Sequence, residues 1–185
     1  MQATTTPSLA LGGGCFWCLD AVYAQVPGVL SVQSGYSNGQ QHQPGYEDVC
    51  RGDTGHAEVV LLHYDPARIS LRQILSIFFT IHDPTTLNRQ GHDVGTQYRS
   101  GIYTTSPEQL PQVQAFVDSV RQSDAFDAPI VTEVMPLHNY WPAEDYHQDF
   151  YARNPNYGYC QAVINPKLQH LRQVWKELMP STPKP

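Results

Sequence analysis

Cys15 follows three glycines and precedes a second cysteine by three positions, in the run Gly12-Gly13-Gly14-Cys15-Phe16-Trp17-Cys18. Glycines permit tight backbone geometry and leave a neighbouring thiol uncovered by side chains. The run follows a short apolar segment and opens a helical pattern, so Cys15 falls on the first turn of a helix. Free amide N–H groups there favour negative charge. The expectation is a Cys15 thiolate, the nucleophilic form of cysteine, beside two large aromatic rings. The C-x-x-C spacing leaves dithiol–disulfide exchange by Cys15 and Cys18 open. A zinc site would need a second ligand pair; His138 and His147 could contribute, but no spacing joins them to Cys15. Buried packing, the remaining reading of a free cysteine, suits Cys50 after Val49 and does not suit Cys15 after three glycines.

The elements that must hold these residues follow from the pattern. Ser8–Leu11 reads as a strand, Cys15–Gln25 as a helix ended by Pro27-Gly28, and Val29–Tyr36 as a strand with a Ser37-Asn38-Gly39 turn. The stretch from Gln40 to Thr54 has little periodicity and reads as a long surface loop, a length often tied to function. His56–Tyr64 is apolar on both faces, which predicts a central strand covered by a layer on each side. Ser70 caps a helix over Leu71–His82, followed by an Asp83–Gly95 loop and a Tyr98–Tyr103 strand. A helix from Ser106 to Gln122, a strand at Ile130–Met135, a helix over Ala143–Tyr151 and a terminal helix at Lys167–Leu178 complete the pattern. Strands separated by helices imply one α/β or α+β domain around a central sheet.

With 185 residues, 41% hydrophobic and 15% charged, the chain has globular composition and can bury a core without staples. A net charge of -6, with the three lysines (Lys167, Lys176, Lys184) all near the C-terminus, argues against nucleic acid or anionic lipid as a partner. No apolar run approaches a membrane span, and Met1–Ala10 lacks the features of a secretory signal. The cysteines Cys15, Cys18, Cys50 and Cys160 are too few for a disulfide scaffold. The expected location is the cytoplasm, and the expected state a monomer.

Gly14-Cys15-Phe16-Trp17 resembles the signature of the A-type peptide methionine sulfoxide reductases. Three further blocks of that family follow in its order. They are Tyr46–Cys50 with Gly52–Val60, then Gly91–Ser100, then Trp141–Gln148. The resemblance covers the chain from about Leu9 to His170 and implies a single catalytic domain over residues 1–185, with 1–7 and 179–185 as flexible tails. It implies an α+β fold, an α/β roll of two layers with a ferredoxin-like core and a mixed central sheet. The implied reaction is reduction of methionine S-sulfoxide, free or in proteins, to methionine. Thioredoxin or a dithiol would be the reductant, with no metal or organic cofactor.

What the resemblance implies for single residues agrees with their chemistry. Cys15 would attack the sulfoxide sulfur and become a sulfenic acid, resolved by a second thiol to a disulfide. A sulfoxide needs an acid at its oxygen, and Glu58 shares a strand face with Val60 and Leu62, where burial raises a carboxyl pKa. The plainer alternative pairs Glu58 with His56 or an arginine. Tyr46 and Tyr98 fall on functional positions of the family and would donate to the oxyanion. Asp93 would orient substrate or water, or simply form the turn before Val94-Gly95. Phe16 and Trp17 would cradle the S-methyl group, or be core aromatics. The chain departs from many members in having Cys18 where they carry glycine, and in having one tail cysteine, Cys160, where some have two. Cys160, beside Gly158 in what reads as a mobile segment, is preferred to Cys18 as the resolving thiol, with Cys50 third. The Trp141–His147 block reads as support around the site.

Overall fold

The computed structural model describes residues 5–178; the rest of the expected tails lies outside them. The first apolar run forms β1 (Ser8–Gly12), and a Gly13-Gly14 turn feeds helix α1 (Phe16–Tyr23), in which every residue except Trp17 is buried. Next come β2 (Val29–Ser37), a short helix α2 (Tyr46–Cys50), β3 (Ala57–Tyr64) and α3 (Leu71–Ile81). At the start of α3, Ser70 Oγ accepts the Gln73 amide and the Gln73 side chain accepts the Ser70 amide, a reciprocal cap. A small hairpin, β4 (Arg89–Gln90) with β5 (Asp93–Val94), leads through a 3-10 turn (Thr96–Tyr98) to β6 (Gly101–Thr104). Then follow α4 (Gln109–Gln122), β7 (Glu133–Pro136), β8 (Trp141–Pro142), a 3-10 turn (Asp145–His147) and α5 (Phe150–Arg153). A π-turn (Cys160–Ile164) runs directly into α6 (Asn165–Val174).

Six strands make one mixed sheet in the order β7-β6-β1-β3-β2-β8, with β6–β7 parallel and the other pairs antiparallel. Its inner four, β6-β1-β3-β2, have α1 connecting β1 to β2 and α3 connecting β3 to β6, the connectivity of a ferredoxin-like unit. Alternation along the strands sends Leu9, Leu11, Val60 and Leu62 to one face, where they pack with Phe16, Leu19, Ile74, Phe78, Val113 and Leu168 from the helices. Glu58 points to this same face. The opposite face carries only a small cluster of Ala10, Ala57, Val59 and Tyr103 under Leu61, Met135, Leu137 and Tyr140. Strand β3 is central, as its composition predicts, but helices cover one face alone. No helix among the described residues is long and apolar enough to cross a membrane.

Several local expectations are corrected by tertiary bonds. The helix expected over Ala143–Tyr151 is broken by Asp149, which adopts φ 51°. Just before it, the Gln148 side chain is drawn to the sheet, accepting the Ser34 amide and donating to the Ser34 carbonyl, both at 2.9 Å. The side-chain amide thus continues the ladder on the edge of β2. The Gln40–Thr54 loop contains α2, whose start is fixed by Asp48 accepting from the Gly45 amide. The Tyr98–Tyr103 strand begins only at Gly101, because Gly14 N–H takes the Tyr98 carbonyl at 3.1 Å and holds it in a turn. The terminal helix begins earlier than Lys167, at Asn165, with the π-turn before it.

The turn that delivers Cys15 is intolerant of side chains. Gly14 has φ +86°, and a Cβ there would sit 2.8 Å from Gln90; one on Gly13 would crowd the Phe78 and His82 rings. Gly14→Ala is expected to destabilise the fold by about 1–3 kcal/mol. Calorimetry should show this as a Tm lowered by roughly 3–10 °C; an unchanged Tm would mean the turn is not under this constraint.

Candidate active site

Cys15 is the N-cap of α1, half-buried and with extended backbone, and the helix proper begins at Phe16. The Phe16 amide donates to Glu58 Oε1 at 3.2 Å. Residue 58 of the central strand therefore sits directly under the first turn of α1, beside the thiol. Glu58 is 1% exposed. Burial pushes its carboxyl up to about 8, with the Phe16 hydrogen bond opposing and the Asp93 charge adding to the shift. Neither His56 nor an arginine pairs with it among the described residues. His56 instead accepts the Gly39 amide and bonds the Gln41 carbonyl, and Arg99 bonds Glu133. At neutral pH Glu58 holds its proton.

The expectation of a resting Cys15 thiolate is reversed. Loss of hydration, followed by the Glu58 charge, pushes this thiol well above its ordinary value, and one hydrogen bond from the Trp17 amide is too little to compensate. The helix start supplies donors, but a short helix over a buried carboxyl does not outweigh burial.

Tyr46 and Tyr98 flank the carboxyl. Burial and then the Glu58 and Cys15 charges raise the Tyr98 hydroxyl. For Tyr46 burial comes first, then contact with the Cys50 thiol, then Glu58. Both phenols stay protonated as donors. Tyr46 is placed by Glu144, which accepts its backbone amide at 3.2 Å and the hydroxyls of Tyr36 and Tyr146 at 3.0 Å. Asp93, on β5, accepts the Tyr159 hydroxyl at 2.7 Å, and that hydroxyl also meets Cys18 Sγ at 3.5 Å.

The two aromatics behind Cys15 part company, as adjacent helix positions must. Phe16 is fully buried against Tyr36 and His147, with ring centroids 5.7 and 5.0 Å away. Trp17 stays partly exposed. It stacks on Phe150 at 3.7 Å with planes 3° apart, and its indole N–H donates to His147 Nδ1 at 3.1 Å. Burial keeps His147 neutral, so this nitrogen is free to accept. Asp20, buried one turn along α1, has its carboxyl pushed up to about 7 by burial and by the nearby Asp149 charge, with the backbone amides at the start of α5 opposing the shift. The Trp141–His147 block thus supports the site as expected. Glu144 and His147 act through distant partners and were hinted at by the clustering of polar residues in that block, whereas no sequence signal pointed to Phe150, Tyr159 or Asp20.

The remaining thiols depart from expectation. Cys160 lies at the start of the π-turn and is fully buried, while the exposed run is Asn154–Gly158 ahead of it. Cys50 is exposed, because Val49 takes the inward position and the next helix position turns away. Among the described residues no three His, Cys, Asp or Glu side chains converge as a metal set. His138 bonds Asn38, and His147 bonds Trp17.

Residues 7–179 match the sequence pattern of the family described as peptide methionine sulfoxide reductase. The chain belongs to that family. It is 50% identical over 175 residues to "Peptide methionine sulfoxide reductase MsrA" of Polynucleobacter asymbioticus, covering 95% of this chain and 92% of that one. It is 52% identical over 167 residues to the protein of the same name from Ralstonia nicotianae, covering 88% and 87%. Among solved structures, Mxr1 from Saccharomyces cerevisiae in reduced form superposes with a TM-score of 0.79 at 34% identity, covering 86% of this chain and 92% of the yeast chain. Mxr1 has also been solved in complex with Trx2, a structure that matches this chain in fold alone, at a TM-score of 0.57 and 23% identity.

The buried acid has a consequence for stability. Glu58 has a folded value near 8, far above its unfolded value near 4.5. The folded chain therefore keeps a proton that the unfolded chain loses, and burial costs stability increasingly as pH rises through that window. Glu58→Gln removes this cost. Relative to wild type, the variant should gain stability between pH 5 and pH 8, by up to about 4 kcal/mol in denaturant melts. A difference that does not change with pH would show that Glu58 is not a buried neutral acid.

Proposed function

We propose that this chain reduces methionine S-sulfoxide, free or within peptides, to methionine through nucleophilic attack by Cys15. The observation that carries this reading is the buried Glu58 carboxyl held beside the Cys15 thiol by the Phe16 amide, where burial favours its protonated form. A sulfoxide is a poor electrophile until its oxygen is protonated. Glu58 donates a proton to that oxygen, Tyr46 and Tyr98 hydrogen-bond the developing charge, and Cys15 attacks the sulfur. The Cys15 thiol proton returns to Glu58. The balance is thiol plus sulfoxide giving sulfenic acid plus thioether, with no net proton change. Cys15 needs to ionise only as the sulfoxide accepts the Glu58 proton, which accords with its raised resting value.

Selection between epimers has a physical basis in three fixed directions around sulfur. The oxygen faces Glu58 and the tyrosines, the methyl group faces the Trp17 ring with Phe16 beneath, and the attack comes from Cys15. The family likeness selects the S hand. A dithiol oxidoreductase working through Cys15 and Cys18 alone would leave Glu58, Tyr46 and Tyr98 without a task.

The sulfenic acid is resolved to an intramolecular disulfide. By likeness to yeast Mxr1, whose partner in one structure is Trx2, the reductant is a thioredoxin, with no further cofactor. The proposal is of a monomer acting in the cytoplasm, where thiols are returned to their reduced state between turnovers.

Reduced protein mixed with each sulfoxide epimer, without reductant, is expected to form about one methionine per chain from the S epimer and none from the R, with about two thiols lost. No methionine from either epimer would overturn the proposal. Cys15→Ser should abolish the reaction. Glu58→Gln should slow the sulfoxide step by roughly 10²–10⁴-fold, the range for a lost general acid. In wild type that step should weaken above about pH 8, as Glu58 loses its proton.

A further inference from the structure

Cys18 occupies a position between the other two candidate thiols. It lies one turn past Cys15, its amide donating to the Cys15 carbonyl at 3.1 Å. Cys15 is the N-cap, with extended backbone outside the helical ladder, and a disulfide needs Cβ atoms roughly 3.5–4.5 Å apart. Closure therefore needs a small shift in the first turn of α1 and no loop movement. On its other side, Cys18 Sγ meets the hydroxyl of Tyr159, the residue before Cys160, and the π-turn carrying Cys160 packs against α1. Cys160 is fully buried there, and Cys18 is the thiol whose charge it feels.

The hydrogen bonds around Tyr159 have a direction. A phenol has one proton, and this one is donated to Asp93 at 2.7 Å. The Tyr159 oxygen is left to accept, so the 3.5 Å contact is Cys18 S–H donating to it. A path runs from the Cys18 thiol through Tyr159 to a carboxylate, the arrangement that turns a resting thiol into an attacking one.

We propose that Cys18, positioned by Tyr159 and Asp93, is the first thiol to attack the Cys15 sulfenic acid, and that Cys160 then takes over the disulfide from Cys15. The inference rests on the reductase reading. In the first step the Cys18 sulfur bonds to the Cys15 sulfur and the S–O bond breaks. The thiol proton passes through Tyr159 toward Asp93, and the oxygen leaves as water with a proton from Glu58. In the second step the Cys160 thiolate attacks Cys18 and displaces the Cys15 thiolate, which is reprotonated by the proton Cys160 gave up. Cys15 is then free, and a Cys18–Cys160 disulfide remains for an external dithiol to reduce. π-Turns are uncommon and concentrate at functional sites. This one begins at Cys160, behind the exposed run ending at Gly158, beside which a Cβ would meet nothing within 4 Å.

The test is a single turnover of the full chain with methionine S-sulfoxide and no reductant. Samples are quenched by alkylation at intervals, disulfides are mapped by peptide mass spectrometry, and methionine is quantified alongside. Wild type should show a Cys15–Cys18 disulfide first and Cys18–Cys160 as the end product, with Cys15 again alkylated. Cys160→Ser should stop at Cys15–Cys18, and Cys18→Ser should accumulate a Cys15 sulfenic acid that dimedone captures. Tyr159→Phe should slow the first disulfide by up to about 100-fold at neutral pH, and much less at alkaline pH, where Cys18 ionises unaided. A purely structural role for Tyr159 would slow both alike. A Cys15–Cys160 disulfide as first or final product, or a Cys18→Ser variant that recycles at the wild-type rate, would overturn the relay while leaving the reductase reading intact. Absence of methionine in the same wild-type samples would instead overturn the reductase reading itself.

Discussion

A carboxyl buried under the first turn of a helix, beside a thiol, sets the terms for the rest of the site. Glu58 has the Phe16 amide as its partner and apolar neighbours on its strand face, so it is stable there only when protonated. Its charge and the charge of Cys15 would share one poorly hydrated space, and each opposes the other. The resting pair is therefore thiol and acid. In the proposed reaction, chemistry begins when a substrate oxygen takes the acid's proton and lets the thiol surrender its own.

Holding that pair in place requires contacts from far along the chain. The hydrogen bond between Gly14 and Tyr98 ties the glycine turn to the segment bearing the second tyrosine. Glu144 gathers Tyr36, Tyr146 and the Tyr46 amide at one carboxylate, and Gln148 anchors the same block to the edge of β2. Trp17 is held on three sides, by the stacked Phe150, by His147 at its indole nitrogen and by the edges of Tyr157 and Tyr159. Burying polar side chains costs free energy unless they are hydrogen-bonded, so this network is also what makes the enclosed site possible.

The arrangement separates two kinds of cysteine chemistry. Cys15 faces the acid and the phenols, the groups that the proposed reaction assigns to oxygen transfer. Cys18 faces Tyr159 and Asp93 on the far side of the same helix turn, toward the π-turn and Cys160. Cys18 thereby has a setting of its own.

That strands and helices alternate around a central sheet was legible in the sequence, because strand patterns and the near-four period of α3 arise within a few neighbouring residues; the ferredoxin-like order came only as what the family resemblance implied. The glycine turn before Cys15 and the placing of Glu58 on the same face as Val60 and Leu62 were legible for the same reason, and the family from four motif blocks that stand in its order along the chain. Three things were decided only by the tertiary structure. Cys15 rests as a thiol because burial and Glu58, 43 residues away in sequence, outweigh a helix start. Cys160 is buried because α1 and the π-turn pack together, whereas its local sequence of glycine, tyrosine and asparagine reads as exposed. Asp93 serves Tyr159, and the Ala143–Tyr151 helix breaks, because Tyr159 and Ser34 supply partners from other elements. Local periodicity records which face a residue presents, but protonation and partnership depend on what the fold brings to that face.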